Sequence, residues 1–267
     1  MKLFKIVVLV ALAILLSSCK KNDNPVAPLA PTVPAFKVGE VYVSGTKAQI
    51  YADDSLRAGY NKIYVTLTDS VKGTAITDAH VFLTPVMAMM TMSHSCPVEQ
   101  PDTVINGYFT GAIYFTMASN SMEKWSLTIT VHNHLTDIER DSDFPAINVG
   151  SQSRSRISVV TGSDNSSYVF ALIPPQKFSV GLNTVSFGVY HQDDPMNYSP
   201  VSNLSFVMTP TMPSMGHGST NNVNPTYTLN GLYKGTVNLS MSGEWKIACD
   251  VKIDGTALFS SYFMIQL

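Results

Sequence analysis

The sequence predicts an all-β protein built as two tandem sandwiches. From Phe36 onward, β-branched, aromatic and other apolar residues alternate with polar ones over short runs. Turn signals rich in Gly and Asn separate the runs, and no long 3.6-residue pattern competes with the period of two. Segments of the second half also repeat segments of the first in the same order.

In the first half the expected strands are Gly39–Ser44 and Ala48–Ala52, joined by a Ser44-Gly45-Thr46 turn, then Asn61–Thr68, His80–Thr84, Tyr108–Met117 and Lys124–Val131. They are separated by turn chemistry at Arg57-Ala58-Gly59, Lys72-Gly73 and Asn106-Gly107. Residues 135–153 break the alternation with Asp137, Glu139, Arg140, Asp141 and Asp143, followed by Pro145 and Gly150, and read as a boundary between modules. Alternation resumes over Arg156–Thr161, Ser167–Ile173, Asn183–His191, Val201–Thr209, Leu232–Met241, Trp245–Ile253 and Ala257–Gln266.

The repeat is colinear. Gly59-Tyr60-Asn61 matches Gly181-Leu182-Asn183, Thr84-Pro85-Val86-Met87 matches Thr209-Pro210-Thr211-Met212, and Met92-Ser93-His94 matches Met215-Gly216-His217. Asn106-Gly107 through Gly111 matches Asn230-Gly231 through Gly235, and Met117 and Trp125 match Met241 and Trp245. An offset of roughly 120 residues exceeds solenoid repeats and indicates duplicated domains. Their size and strand number suit immunoglobulin-like β-sandwiches, here residues 36–148 and 149–267.

Residues 1–18 carry the pattern of an export signal, with Lys2 and Lys5 ahead of an apolar run from Ile6 to Leu16. The run is too short to span a bilayer comfortably. It ends in Leu16-Ser17-Ser18-Cys19, which resembles the lipobox of bacterial lipoproteins and implies a lipid on Cys19. Residues 19–35 follow as a tether in which Pro25, Pro28, Pro31 and Pro34 favour an extended chain. Lys20 stands where an aspartate retains some lipoproteins at the inner membrane, so the expected location is the outer membrane, facing the periplasm or the exterior. The 267-residue chain, less its first 18, leaves 249 residues, and losing Lys2 and Lys5 moves the formal net charge from −2 to −4. That charge offers no basic field for nucleic acid. The expected partners are a membrane, through the lipid, and a metal-handling or surface protein.

Thr209-Pro210-Thr211-Met212-Pro213-Ser214-Met215-Gly216-His217-Gly218 concentrates two thioethers and an imidazole in a turn-rich stretch. Its counterpart crowds Met87, Met89, Met90, Met92, His94 and Cys96 into ten residues. Thioethers are soft neutral donors and imidazole is borderline, a set that suits Cu(I) over hard cations. The candidate metal ligands are therefore Met212, Met215 and His217 in the second module and Met87, Met92, His94 and Cys96 in the first. Methionine also fills cores, so a packing role for the same loops stays open. Met241 alternates with Val237 and Leu239 and is expected in the core.

The string Pro210-x-Met212-Pro213-x-Met215-Gly216-His217-Gly218, with Gly231-x-Tyr233 and Met241-Ser242-Gly243-x-Trp245, resembles the YtkA-like family, related to FixH-like proteins, over roughly residues 180–255. The first module resembles it more loosely, with two extra residues before the histidine and four between Met117 and Trp125. The resemblance implies an extracytoplasmic β-sandwich in settings of metal transport and copper-enzyme maturation, and implies no established enzyme activity; the expectation is a non-enzymatic protein. The alternative is a structural or adhesive surface module whose Met-Pro loops serve packing or protein contacts.

Cys249 alternates with Trp245, Ile247, Val251 and Ile253 and points inward, which favours free cysteines over a Cys96–Cys249 disulfide. His132-Asn133-His134 reads as a strand end that could share a metal or simply face solvent, and His191-Gln192-Asp193-Asp194-Pro195 as a turn. The sequence holds no nucleophile elbow, HExxH or phosphate loop.

Overall fold

The computed structural model describes residues 34, 36–173, 175 and 177–267, and none of these lies in a helix. The leader, Cys19 and most of the Pro/Ala-rich tether lie outside the described residues. The described strands form four antiparallel sheets, paired into two immunoglobulin-like sandwiches with separate apolar cores.

In the first sandwich, β1 (Phe36–Val43), β2 (Thr46–Ala52), β3 (Gly59–Asp69), β8 (Tyr108–Phe115) and β7 (Val98–Ile105) lie side by side in that order, with β4 (Ala75–Ile76) on β3. The facing sheet runs β10 (Ile138–Ile147), β9 (Trp125–Asn133), β5 (Ala79–Ala88), β6 (Ser93–His94). The second sandwich repeats the plan: β11 (Ile157–Thr161), β12 (Ser167–Ile173), β13 (Gly181–Gln192), β18 (Leu232–Leu239) and β17 (Val223–Tyr227), with β14 (Tyr198–Pro200) on β13. Its facing sheet runs β16 (His217–Gly218), β15 (Leu204–Met212), β19 (Glu244–Ile253), β20 (Thr256–Gln266).

Alternation explains the layers. In β5 and β15, odd and even positions respectively are buried between the sheets while their neighbours face out, so Val81, Leu83 and Met87 enter one core and Phe206, Met208 and Met212 the other. The sequence motifs that match between halves are structural devices. Asn106-Gly107 and Asn230-Gly231 are two-residue turns with both residues at positive φ, the geometry that joins strands of right-handed twist. Gly111 and Gly235 face bulges in β7 and β17; a Cβ at Gly235 would fall 2.6 Å from the Val223 carbonyl oxygen, and one at Gly111 would collide with that of Glu99.

Asn61 and Asn183 repeat each other bond for bond. The Asn61 Oδ1 accepts from Arg57 N at 2.9 Å and its Nδ2 donates to the carbonyls of Arg57 at 2.7 Å and Gly59 at 2.8 Å. Asn183 does the same with Ser179 at 2.9 and 2.7 Å and Gly181 at 2.8 Å. Each amide thereby closes the loop entering the longest strand of its sandwich.

Two expectations are corrected. The acidic segment expected to separate modules is a strand: β10 pairs with β9 from Ile138↔Asn133 to Phe144↔Leu127, and Phe144, Ile147 and Val149 pack in the first core. Its charges decorate an edge strand, where they discourage pairing with another chain. β7 and β17 were not expected, because Pro101, Pro225 and their bulges interrupt the alternation.

A third apolar cluster joins the sandwiches, with Ala112 and Tyr114 from the first and Ile157, Val169, Ala171 and Tyr190 from the second. Tyr114 and Tyr190 pack at 5.0 Å and both donate to the Glu99 carboxylate. Gly188 makes room, since a Cβ there would sit 2.8 Å from the Tyr114 ring.

Because each side-chain amide satisfies one backbone N–H and two carbonyls, Asn183→Ala and Asn61→Ala are each expected to cost about 1–3 kcal/mol in urea unfolding, while Gln49→Ala on the surface costs far less.

Candidate functional site

Both Met/His segments are short hairpins at the same corner of their sandwich. In the second, Met212 at the end of β15 stands directly across from His217 on β16, and the carbonyl of Met212 accepts hydrogen bonds from Met215 N at 3.1 Å and Gly216 N at 3.0 Å. Gly216 takes positive φ to close the turn. In the first, Met87 stands across from His94, and Met89 N donates to the Met92 carbonyl at 2.8 Å. The two extra residues of the first loop are absorbed in its tip, leaving the Met–His register unchanged.

Beside each pair lies a fully buried tryptophan. Met87 is opposite Trp125 on β9, and Met212 falls one step beyond the Thr211↔Lys246 pair, opposite Trp245 on β19. Cross-strand neighbours share a face, so imidazole, thioether and indole stand in a row across three strands. The His94 ring meets Trp125 edge-on at 5.2 Å and 88°, and His217 meets Trp245 at 6.1 Å and 89°. The indole N–H of Trp125 donates to the Met117 carbonyl at 3.0 Å, and that of Trp245 to the Met241 carbonyl at 3.0 Å.

The candidate ligands therefore separate by depth. Met87 and Met212 are buried, His94 and His217 are half-buried, and Met92 and Met215 stand exposed at the loop tips. The Met212 methyl reaches over Gly243, where a Cβ would fall 2.5 Å away, and Gly243 holds a φ of 128°. Met241 is 36% exposed in the loop after β18 and is not a core residue; its backbone carbonyl, not its thioether, serves the site.

Cys96 lies in the first core, and burial pushes its thiol pKa well above the ordinary value. Cys249 is buried in the second core and its thiol is pushed up to about 12 by burial, with Asp250 adding to it. Both cysteines are free. Between the sandwiches, His191 holds Asp193 at 2.7 Å within a turn, and the carbonyl of Pro195 in that turn accepts from Ser95 N at 2.8 Å. This turn is a contact between the sandwiches. A cleft of about 240 Å³ near Phe36, Arg57 and Ile147 includes none of the candidate ligands.

Sequence reading did not assign the tryptophans to the site, although their spacing from the Met/His turns was in view. What places them there is strand register, which no local pattern prints.

The β-sandwich class rests on the sheets themselves. Within the chain, residues 163–250 match the profile of the YtkA-like family, which covers β12 to β19 of the second sandwich and its Met/His hairpin. No curated protein matches the chain in sequence. Among solved structures it is similar to the Escherichia coli adhesin FdeC, 15% identical over 85% of this chain and 65% of that one, with a TM-score of 0.27. It is also similar to two structures of an I-band fragment of titin, 7% and 6% identical over 81% of this chain, each with a TM-score of 0.20. The chain spans 65% of the length of each of these three structures.

The raised thiol values give an expected outcome. At pH 8, alkylation mapped by mass spectrometry leaves Cys96 and Cys249 unmodified until denaturant is added. Unfolded thiols ionise near pH ~8.5 while both folded thiols are shifted upward, so their contribution to stability is complete below that pH and is lost as pH rises above it, for Cys249 toward about 12. The urea midpoint should fall between pH 8 and 10, and less so in a Cys96→Ala, Cys249→Ala variant.

Proposed function

We propose that this is a lipid-anchored, non-enzymatic protein of the bacterial outer membrane that binds or hands over copper, as Cu(I), through its two Met/His hairpins. The leader pattern and Cys19 support the anchor. The YtkA-like match over residues 163–250 supports an envelope β-sandwich module, and the same topology in residues 36–147 supports reading the first sandwich as a divergent second copy.

One observation carries the copper reading. A methionine and a histidine face each other across the same hairpin, beside the same buried tryptophan, in both sandwiches, although the loops differ by two residues. Core packing accounts for Met87, Met212 and the indoles, since any well-shaped apolar side chain would serve. It does not call for an imidazole at the rim. In the first hairpin the His94 Nδ1 lies 2.9 Å from the Ser95 carbonyl, which only accepts, so Nδ1 carries a proton and, in the neutral ring, Nε2 is the lone-pair donor.

Met87, Met92 and His94 would hold one ion and Met212, Met215 and His217 another, with the exposed Met92 and Met215 as the mobile donors for exchange. Bound copper would supply a soft cation, matched to the thioether and imidazole donors. Cys96 is the further candidate donor of the first sandwich, its thiol proton leaving as the metal binds.

A second reading, a surface module that meets a protein partner, is favoured by exposed methionines at the corresponding end of the first sandwich: Met90 is 87% and Met122 81% exposed.

Anaerobic Cu(I) titration against a chromophoric chelator tests the choice. The protein should take up two equivalents, and Met87→Ala with Met92→Ala and His94→Ala, or Met212→Ala with Met215→Ala and His217→Ala, should each remove one. No uptake by the unaltered protein, or unchanged uptake in the variant carrying all six substitutions, sinks the copper reading and leaves the partner-binding one.

A further inference from the structure

Three of the protein's six histidines meet on the outer face of the first sandwich. His80 on β5 is the cross-strand partner of His132 on β9, and His134 follows one residue beyond that strand's end. Ring centres stand 4.6 Å apart for His80 and His134, 5.1 Å for His132 and His134, and 6.3 Å for His80 and His132. We propose that His80, His132 and His134 form a binding site for a borderline divalent cation such as Zn²⁺, separate from the copper reading of the hairpins.

The spacing is the first support. Three imidazoles on one tetrahedral ion, each with a metal–nitrogen bond of about 2.0–2.1 Å, hold their ring centres roughly 5 Å apart. Packing alone does not account for the cluster, because His80 and His134 are exposed and His132 is half-buried.

Two carboxylates supply the second support. Asp137 Oδ1 lies 3.1 Å from Nε2 of His132, and Asp78 Oδ1 lies 2.6 Å from Nδ1 of His134. A carboxylate accepts, so each contacted nitrogen carries a proton, and in the neutral ring the other nitrogen is the lone-pair donor. A carboxylate behind the imidazole is how metal-binding histidines are oriented and made more basic. The backbone is tied down as well: His134 N donates to the Asp78 carbonyl, and Leu135 N donates to Asn133 Oδ1 at 3.0 Å in the turn that Asp137 closes at positive φ.

As the rings stand they meet edge to face, and among the described residues no three His, Cys, Asp or Glu side chains converge on one ion. His80, exposed and on an open sheet face, is the ring that has to turn. Its site is distinct from the first hairpin: His80 and Met87 stand seven residues apart on β5, roughly 23 Å along the strand, and point to opposite faces.

The test is a Zn²⁺ titration of the full chain against a chromophoric chelator, with side-chain NMR of the imidazole nitrogens. The unaltered protein should bind Zn²⁺ with shifts in the signals of His80, His132 and His134. His80→Ala should weaken this binding at least tenfold, and Asp78→Asn by about 10–100-fold while leaving the three imidazoles in place. Substituting Met87, His94, Met212 and His217 by Ala should leave these three shifts intact, which separates this site from the hairpins. An absence of Zn²⁺-dependent shifts in the three rings, or a His80→Ala variant that binds as the parent does, overturns the proposal. Because His80 and Asp78 lie on the surface, an unchanged urea midpoint confirms that the variants are folded.

Discussion

Each sandwich depends on one buried tryptophan. Trp125 and Trp245 are fully enclosed, and each faces the same three constraints: an indole N–H that needs an acceptor, a flat ring that needs neighbours on both faces, and a place next to the hairpin corner. An unpaired indole N–H in a core would cost about 1–3 kcal/mol. The loops after β8 and β18 meet that need with the carbonyls of Met117 and Met241. In doing so they fix their own path over the end of the sandwich, whatever their length, and the longer loop of the first sandwich bulges outward at Met122. The methionine of β5 or β15 then closes one side of the indole, and the histidine of β6 or β16 leans its ring against another.

That order of dependence explains how two hairpins of different length keep one register. A strand slip by one residue would exchange inward and outward faces, exposing Met87 or Met212 and burying the polar neighbour. The cost of that slip is set by the core, not by the turn. The extra residues of the first loop, including the exposed Met90, are therefore free to lie at its tip.

Much of this was legible in the sequence, and the reason is physical. Alternation revealed the strands with one wet face, and the Asn-Gly turns and paired asparagines revealed the repeat, because positive φ and loop closure restrict which residues fit. The acidic strand β10 was not legible, since an edge strand buries little and carries charges on both sides of its alternation before Phe144. Strands β7 and β17 were hidden by their prolines and bulges. Met241 was misread because alternation in β18 was extended past Leu239, where the chain turns to meet the indole. The histidine cluster was half visible: His132 and His134 share a face by their spacing, but His80 joins them through the β5–β9 register, a long-range pairing that leaves no local trace.

The junction between sandwiches makes the two hairpins unequal. Ser95, next to His94, is held from three directions: its hydroxyl donates to the Pro85 carbonyl at 2.6 Å, its N–H to Pro195 of the second sandwich, and its own carbonyl accepts from Tyr198 at 3.2 Å as well as from His94. His94 is thus anchored through a residue that the second sandwich grips, whereas His217 is flanked by Gly216 and Gly218 and braced by Trp245. A side chain fixed in advance loses less conformational freedom when it makes a new contact than a looser one does. The two copies of one geometry are in this way differently held: the first hairpin through a residue that the second sandwich grips, the second through its own glycines and tryptophan, with the difference arising from where each sandwich meets its neighbour.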